Sequence, residues 1–213
     1  MPVIAIDGPV ASGKGTLARR LAAAMNFAYL DTGSLYRAVA SLILERGSDP
    51  NDSVVAAKVA DSFTAGDINR HDLRDEKVGQ AASIVAANQE VRKSLLEFQR
   101  NFAKTPPNNH LGAVLDGRDI GTVVCPDAEI KLFISATPEV RAKRRHKELL
   151  ERGDESIYAR VLEDLRERDE RDRNRDTAPL RAAEDAVTLD TSDMDANKAF
   201  EAAKSLVNER LSL

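Results

Sequence analysis

Apolar and polar positions change period several times along the chain, and each change marks an element. Residues 3–6, "VIAI", are a short apolar run between proline and glycine signals, the pattern of a buried strand. "TLARRLAAAM" (16–25) then repeats at helical spacing, "FAYLD" (27–31) reads as a second strand and "SLYRAVASLILER" (34–46) as a second helix. Strand and helix alternate, which predicts a parallel sheet with crossover helices. From about Gly47 to Pro107 the alternation stops: no convincing strand occurs there, and "EKVGQAASIVAANQEVRKSLLEFQRNF" (76–102) reads as one or two helices. Before it, "AGDINRHDLRD" (65–75) is short and polar, the composition of a loop. The whole stretch is expected to be an all-helical insert.

Sheet signals resume with "GAVLD" (112–116) and "EIKLFIS" (129–135). "ATPEVRAKRRHKELL" (136–150) opens a helix with Thr137 as N-cap and Pro138 at the first helical position. "DESIYARVLEDLRERDERDRN" (154–174) puts Ile157, Tyr158, Val161, Leu162 and Leu165 on one helical stripe. "AVTLDT" (186–191) supplies a fifth strand, and Phe200, Ala203, Leu206 and Val207 a closing helix.

Composition narrows the class. With 42% hydrophobic and 31% charged residues, the 213-residue chain is an ordinary globular mixture, long enough for one larger domain or a core with inserted lobes. A net charge of −4 argues against non-specific nucleic-acid binding. A single cysteine, Cys125, excludes an internal disulfide and suits a reducing compartment. No basic leader or long apolar stretch is evident, so a cytoplasmic protein with no membrane partner is expected. His71, His110 and His146 are spaced for no metal site.

The chemistry begins with "GPVASGKGT", residues Gly8, Pro9, Val10, Ala11, Ser12, Gly13, Lys14, Gly15 and Thr16, which follows one predicted strand and opens a helix. That context is what a phosphate-binding loop requires. Its backbone N–H groups and the helix N-terminus face an anion, Lys14 brings a mobile charge to the outer phosphates, and Thr16 offers a hydroxyl to Mg²⁺. An ATP-binding protein is the expectation. Neither Asn-Lys-x-Asp nor Asp-x-x-Gly occurs, so it is no GTPase, and "GKGT" looks like the small nucleotide and metabolite kinases. Such kinases need a second anion site and a closing lid of arginines. "DTGSLYR" (31–37) and "DGRDIG" (116–121) end the second and third strands, at the carboxyl edge where ligands bind in an open α/β sheet.

"RERDERDRNR" (166–175) holds five arginines and four acids in ten positions. A run of this kind is ordinarily a solvated face laced with i,i+4 pairs. Yet Arg168, Arg171, Asp172 and Arg175 share one helical stripe, and three guanidiniums around one carboxylate ask for an anion among them.

With these pieces the chain resembles the bacterial-type cytidylate kinases, a branch of the nucleoside monophosphate kinases. The likeness covers nearly the whole length: "IDGPVASGKGT", "LDTGSLYR", "QAASIVAANQEVRKSLLEFQRNF", "LDGRDIGTVVCPDAEIKLFISA" and "RERDERDRNR" stand in family order. The resemblance implies an α/β fold with a P-loop NTPase core and a five-stranded parallel sheet (1–46 and 107–213), a helical monophosphate-binding insert (47–106) and an arginine-rich lid within about 146–175. It implies transfer of the ATP γ-phosphoryl group to CMP or dCMP with Mg²⁺, by a cytoplasmic monomer. Arg37 and Arg118 would hold the acceptor phosphate. Thr32, Arg92, Asp119 and Arg175 would surround the cytosine, and Ser83, Arg168 and Asp172 would face the sugar. Lys14, Arg118, Arg171 and Arg175 would carry the chemistry, with Arg144 and Arg145 also within reach of the transferring group. Arg166, Glu167, Asp169, Glu170 and Arg173 are read as solvated or pairing residues. Two departures stand out. Thr32 replaces an expected serine, and "TAGDINRHDLRDEK" (64–77) replaces a small strand-rich piece. The residues alone leave room for another acceptor, such as UMP or a metabolite, and for an ATP-driven regulatory protein.

Overall fold

The computed structural model describes residues 1–211. Five strands, β1 (Val3–Asp7), β2 (Ala28–Asp31), β3 (Ala113–Gly117), β4 (Ile130–Ser135) and β5 (Val187–Asp190), form one parallel sheet in the order β2-β3-β1-β4-β5. The strand pattern read from the sequence is therefore borne out, with β1 at the centre. Ile4 and Ile6 are fully buried on one face against Leu17 and Leu21 of α1 (Lys14–Met25) and Phe200 and Val207 of α8 (Ala196–Leu211). Ala5 turns to the opposite face, packing with Leu30, Leu115 and Ile120. This alternation is the period-2 geometry of a strand covered on both sides.

Between β2 and β3 the described chain is free of strands. It forms α2 (Thr32–Glu45), α3 (Ser53–Asp61), α4 (Glu76–Val85) and α5 (Gln89–Lys104), so the 76–102 pattern resolves into two helices. Asp52 caps α3 by accepting from the amides of Val54 and Val55, and Asn88 caps α5 through Glu90 and Val91. Leu35, Val39, Ile43, Val59, Val85, Val91 and Leu95 make these helices a second core. The polar stretch at 65–75, expected as a loop, contains a 3-10 turn at Ala65–Asn69. Thr64 and Asp67 close that turn as a capping box, a local signal that outweighs its loop-like composition.

Two helices complete the structure, α6 (Pro138–Glu151) and α7 (Tyr158–Asn174). Thr137 caps α6 as expected, its hydroxyl accepting from Val140 at 3.4 Å. The pair is pinned by Arg141 and Asp169, 1% and 2% exposed, in a bidentate contact of 2.5 and 3.1 Å. Arg141 also donates to the carbonyls of Ala136 and of Val10, so α6 and α7 are tied to the glycine-rich turn. Asp169, read as solvated or pairing, is thus a deeply buried partner. Asp169→Ala would leave that guanidinium buried without its counter-ion, at a cost of about 3–5 kcal/mol. The melting temperature is expected to fall by roughly 10 °C, whereas Arg166→Ala, which breaks an exposed pair with Glu139, should shift stability by under about 0.5 kcal/mol. Calorimetry of the two variants separates them, and equal shifts would refute the structural weight given to Asp169.

Candidate active site

The carboxyl ends of β1, β2 and β3 open into a cleft of about 1470 Å³, lined by residues of the glycine-rich turn, α2, α4, α5, α6 and α7. That exceeds the roughly 300–1,000 Å³ of a pocket for one small molecule and leaves room for two.

One end is built by the glycine-rich turn. Gly8 packs so closely on β4 that a Cβ would lie 2.1 Å from the carbonyl oxygen of Ile134. Gly13 adopts φ 89° at the N-cap of α1, a left-handed conformation natural to glycine, and so frees the first helical amides. Lys14 is 9% exposed, and its one hydrogen bond among the described residues is a long one, 3.5 Å to the carbonyl of Pro9. Burial, then the positive charge of Arg118, draws its pKa down to about 7. Among the described residues no carboxylate stands within salt-bridge distance of the ammonium, although Asp116 and Asp31 attract it from farther off. Thr16 is exposed on the cleft wall. Asp116, at the end of β3, accepts the Tyr29 hydroxyl at 2.6 Å, and burial, then the charge of Asp31, raises its pKa.

The other end gathers guanidiniums and carboxylates. Arg37 pairs with Asp31 at 2.5 Å, and Arg118 Nε with Asp172 Oδ2 at 2.9 Å. Ser83 donates to the other oxygen of Asp172 at 3.3 Å. Burial pushes Asp172 up, but Arg118, Arg168 and Arg175 outweigh it and hold the carboxyl below its usual range. Arg168 is brought down to about 10 by burial and by Arg118, and its buried Nε has no hydrogen-bond partner among the described residues. Deeper still, Asp119 is 5% exposed, ion-paired with Arg92 and 3.6 Å from Arg175 Nη2. Arg92 lies 5.6 Å from the Tyr36 ring centroid. Thr32 spends its hydroxyl proton on the carbonyl of Asp116 at 2.8 Å, leaving its oxygen as an acceptor.

Most sequence-predicted site residues thus meet in one cleft. Arg171 does not line it. It is exposed and donates to Gln80 of α4 at 2.7 Å, because it stands at the edge of the α7 stripe rather than at its centre. Arg175 lies beyond the helix, at its C-cap, and is aimed by a 2.6 Å bond from its Nε to the carbonyl of Ala178. Arg145 pairs with Glu76 across the cleft mouth at 2.6 Å. Arg144 is fastened to the carbonyls of Ser12, Thr191 and Met194, forming a wall beside the glycine-rich turn. Sequence reasoning passed over Thr191, Met194 and Arg141, which carry no motif: Met194 acts through its carbonyl, Thr191 through its carbonyl and hydroxyl, and Arg141 through a guanidinium whose carboxylate partner lies on another helix.

A sequence profile described as cytidylate kinase matches residues 4–209. The chain belongs to the cytidylate kinase family. Proteins named cytidylate kinase from Paramagnetospirillum magneticum and Acidiphilium cryptum are 56% and 57% identical to it, covering 98% of this chain and 98% and 96% of theirs. The same name is carried by a Brucella suis protein, 52% identical over 98% of this chain and 94% of its own. Among solved structures, an uncharacterized protein from Eubacterium ventriosum aligns with a TM-score of 0.56 at 15% identity, covering 98% and 99% of the two chains. A sugar kinase from a Janibacter species aligns with a TM-score of 0.51 at 14% identity, covering 98% and 95%. At such identities these two speak for the fold alone, and the fold is that expected of a cytidylate kinase from the sequence: α/β with a parallel five-stranded sheet.

Proposed function

We propose that the cleft transfers the γ-phosphoryl group of ATP to CMP or dCMP, giving ADP and CDP or dCDP. The observation that carries this reading is Asp119, a buried carboxylate between Arg92 and Arg175 in the cleft that also holds the Lys14 turn. Cytosine presents an exocyclic amine as donor and O2 and N3 as acceptors, which a carboxylate flanked by guanidiniums complements. Uracil presents an oxygen where cytosine has the amine and would leave buried groups unpaired. Arg37 and Arg118 are assigned to the acceptor phosphate, Thr32 to the base, and Ser83, Arg168 and Asp172 to the sugar. The orphaned Nε of Arg168 and Nη2 of Arg175 are donors in want of a ligand.

The acceptor phosphate is already an anionic nucleophile, so no protein base is required, and catalysis rests on alignment and charge neutralisation. Gly8, Pro9, Val10, Ala11, Ser12, Gly13, Lys14, Gly15 and Thr16 are assigned to ATP, with Lys14 and Arg118 meeting the transferring group. Arg171 would take part only if lid closure turned it inward from Gln80. Residues 1–46 and 107–213 serve as the kinase core, 47–106 as the monophosphate-binding insert and about 146–175 as the lid.

Mg²⁺ suits the donor end. Asp116 Oδ2 lies 3.4 Å from where a Cβ on Gly15 would stand, and its raised pKa marks a carboxylate that a divalent cation would relieve. No cluster of three or more His, Cys, Asp or Glu side chains fit for a metal occurs among the described residues, so Thr16, Asp116, phosphate oxygens and water would form the shell. When bound, the ion would neutralise charge on the donor phosphates. Among the described residues no helix is long and apolar enough to cross a membrane, and the single cysteine suits the cytoplasm.

The test is ADP release from Mg·ATP with CMP, dCMP, UMP, AMP or no acceptor, side by side. CMP- and dCMP-dependent release with little from UMP is expected. Release that ignores the acceptor would overturn the reading.

A further inference from the structure

Asp7, at the end of β1, lies beneath the cleft and is 4% exposed. Its two carboxylate oxygens accept the amides of Ile120 and Gly121, each at 2.8 Å. Those two amides open a π-helical turn, Ile120–Val124, whose carbonyl-side bonds run from Val123 and Val124 back to Asp119 and from Cys125 to Ile120. The first amides of any helical turn have no partner within it. An aspartate at the N-cap position ordinarily satisfies them with its own side chain. Asp119 occupies that position and makes no such bond. Of the amides that its side chain would cap, that of Gly121 is already held by Asp7, which also takes the neighbouring amide of Ile120 from a strand 113 positions earlier in the chain.

The arrangement leaves Asp119 free to face Arg92 and Arg175. It is also costly to keep. Burial drives the Asp7 carboxyl up to about 7, with the two amides pulling it back down. The charged groups facing it are Asp119, which repels it, and Lys14 on α1, which attracts it. Lys131 of β4 lies against Gly121 with its aliphatic stem, and its ammonium is taken by Asp185. Among the described residues no cationic side chain stands within salt-bridge distance of Asp7, so its use as the cap of this turn explains a buried carboxylate that the phosphate-transfer chemistry leaves unemployed.

We propose that Asp7 is a positioning residue for base recognition: by capping the amides of Ile120 and Gly121 from β1, it keeps the Asp119 carboxylate from folding back as the turn's own cap and holds it toward the acceptor's base. The proposal rests on the reading of the cleft as a CMP site and deepens it. It also links the strand that launches the ATP-binding turn directly to the residue that reads the other substrate.

Asp7→Asn keeps the size of the side chain but replaces one acceptor oxygen with a donor that faces an amide N–H. With the full-length protein, the ratio of kcat/KM for CMP to that for UMP is expected to fall about tenfold, the loss in KM for CMP, while KM for ATP stays within about twofold. In an Asp119→Ala background, Asp7→Asn is expected to change the ratio no further, because its effect passes through Asp119. Asp7→Ser, which retains one acceptor in a smaller side chain, is measured in parallel in case the asparagine variant does not fold, and carries the same expectation. An unchanged CMP-to-UMP ratio in a folded variant, or equal losses for CMP, UMP and ATP in both backgrounds, would overturn the proposal. Wild-type protein without CMP-dependent turnover would instead overturn the reading of the cleft, so the two failures are distinct.

Discussion

Lys14→Ala is expected to slow CMP-dependent ADP release by about 10²–10³-fold, the scale of removing one preorganised donor from a transferring group, and to leave the melting temperature unchanged or slightly raised. The second half follows from the same facts as the first. Lys14 is buried with one long hydrogen bond to Pro9, so the empty protein bears the cost of an unpaired cation rather than a gain from it. The depressed pKa, about 7, adds a pH signature. Contact with the triphosphate favours the charged amine, and as pH rises through about 7 the empty protein loses that proton. At low CMP, kcat/KM for ATP should therefore decline above about pH 7. Arg118 is the largest positive neighbour depressing Lys14, and an acceptor phosphate would neutralise it. At saturating CMP the decline should move to higher pH. Stopped-time ADP assays across pH on both proteins check this. Near-normal turnover of the alanine variant would remove Lys14 from the chemistry, and a decline that ignores CMP would remove the coupling to Arg118.

What could be read from the chain was local. The strands were legible because apolar runs bounded by glycine, proline and polar residues admit few other readings, and β1, β3 and β4 begin and end within two residues of their sequence patterns. The order β2-β3-β1-β4-β5 has no such local signal, since nothing in "GAVLD" announces that it inserts between the first two strands. The site divides the same way. Lys14, Arg37, Arg118 and Asp119 sit at strand ends or at the start of a helix, where motif and position coincide, and all line the cleft. Within the charge run, helical spacing alone did not separate residues. Asp169 and Asp172 both face inward, yet the first is a partner for Arg141 and the second for Arg118, and only packing of α7 against α6 decides which. Arg171 shares the stripe by spacing and still turns to Gln80, because a stripe has edges. Asp7 stood just past the strand predicted at 3–6 with no signal of its own, its bonds being to the backbone of a turn far along the chain.

Asp119→Ala should lower kcat/KM for CMP by about three orders of magnitude and erase most of the preference for CMP over UMP, somewhat less than the roughly 10⁴–10⁵-fold by which a site built to hydrogen-bond one substrate rejects an analogue that lacks the bond. KM for ATP should stay nearly constant, since Asp119 belongs to the Arg92–Arg175 end of the cleft and not to the Lys14 end. The size of the effect has two sources. One is the lost acceptor for the exocyclic amine. The other is what remains: Arg92 and Arg175, both largely buried, would be left as two like charges without the carboxylate between them, and they would repel each other and reorient. The second source also costs stability, so the comparison must be between substrates within the one variant, where a loss of folded protein cancels. Asp119→Asn separates the two contributions. It retains one oxygen for a guanidinium and removes the charge, so part of the CMP affinity should return while discrimination stays poor, its amide being able to donate to uracil as readily as to accept from cytosine. Calorimetric titration of each variant with CMP and with UMP, alongside the kinetics, reads both quantities. Parallel losses of CMP and ATP, or a preference for CMP that survives both substitutions, would move base recognition away from Asp119 to Thr32 and the arginines, and the tie to Asp7 would go with it.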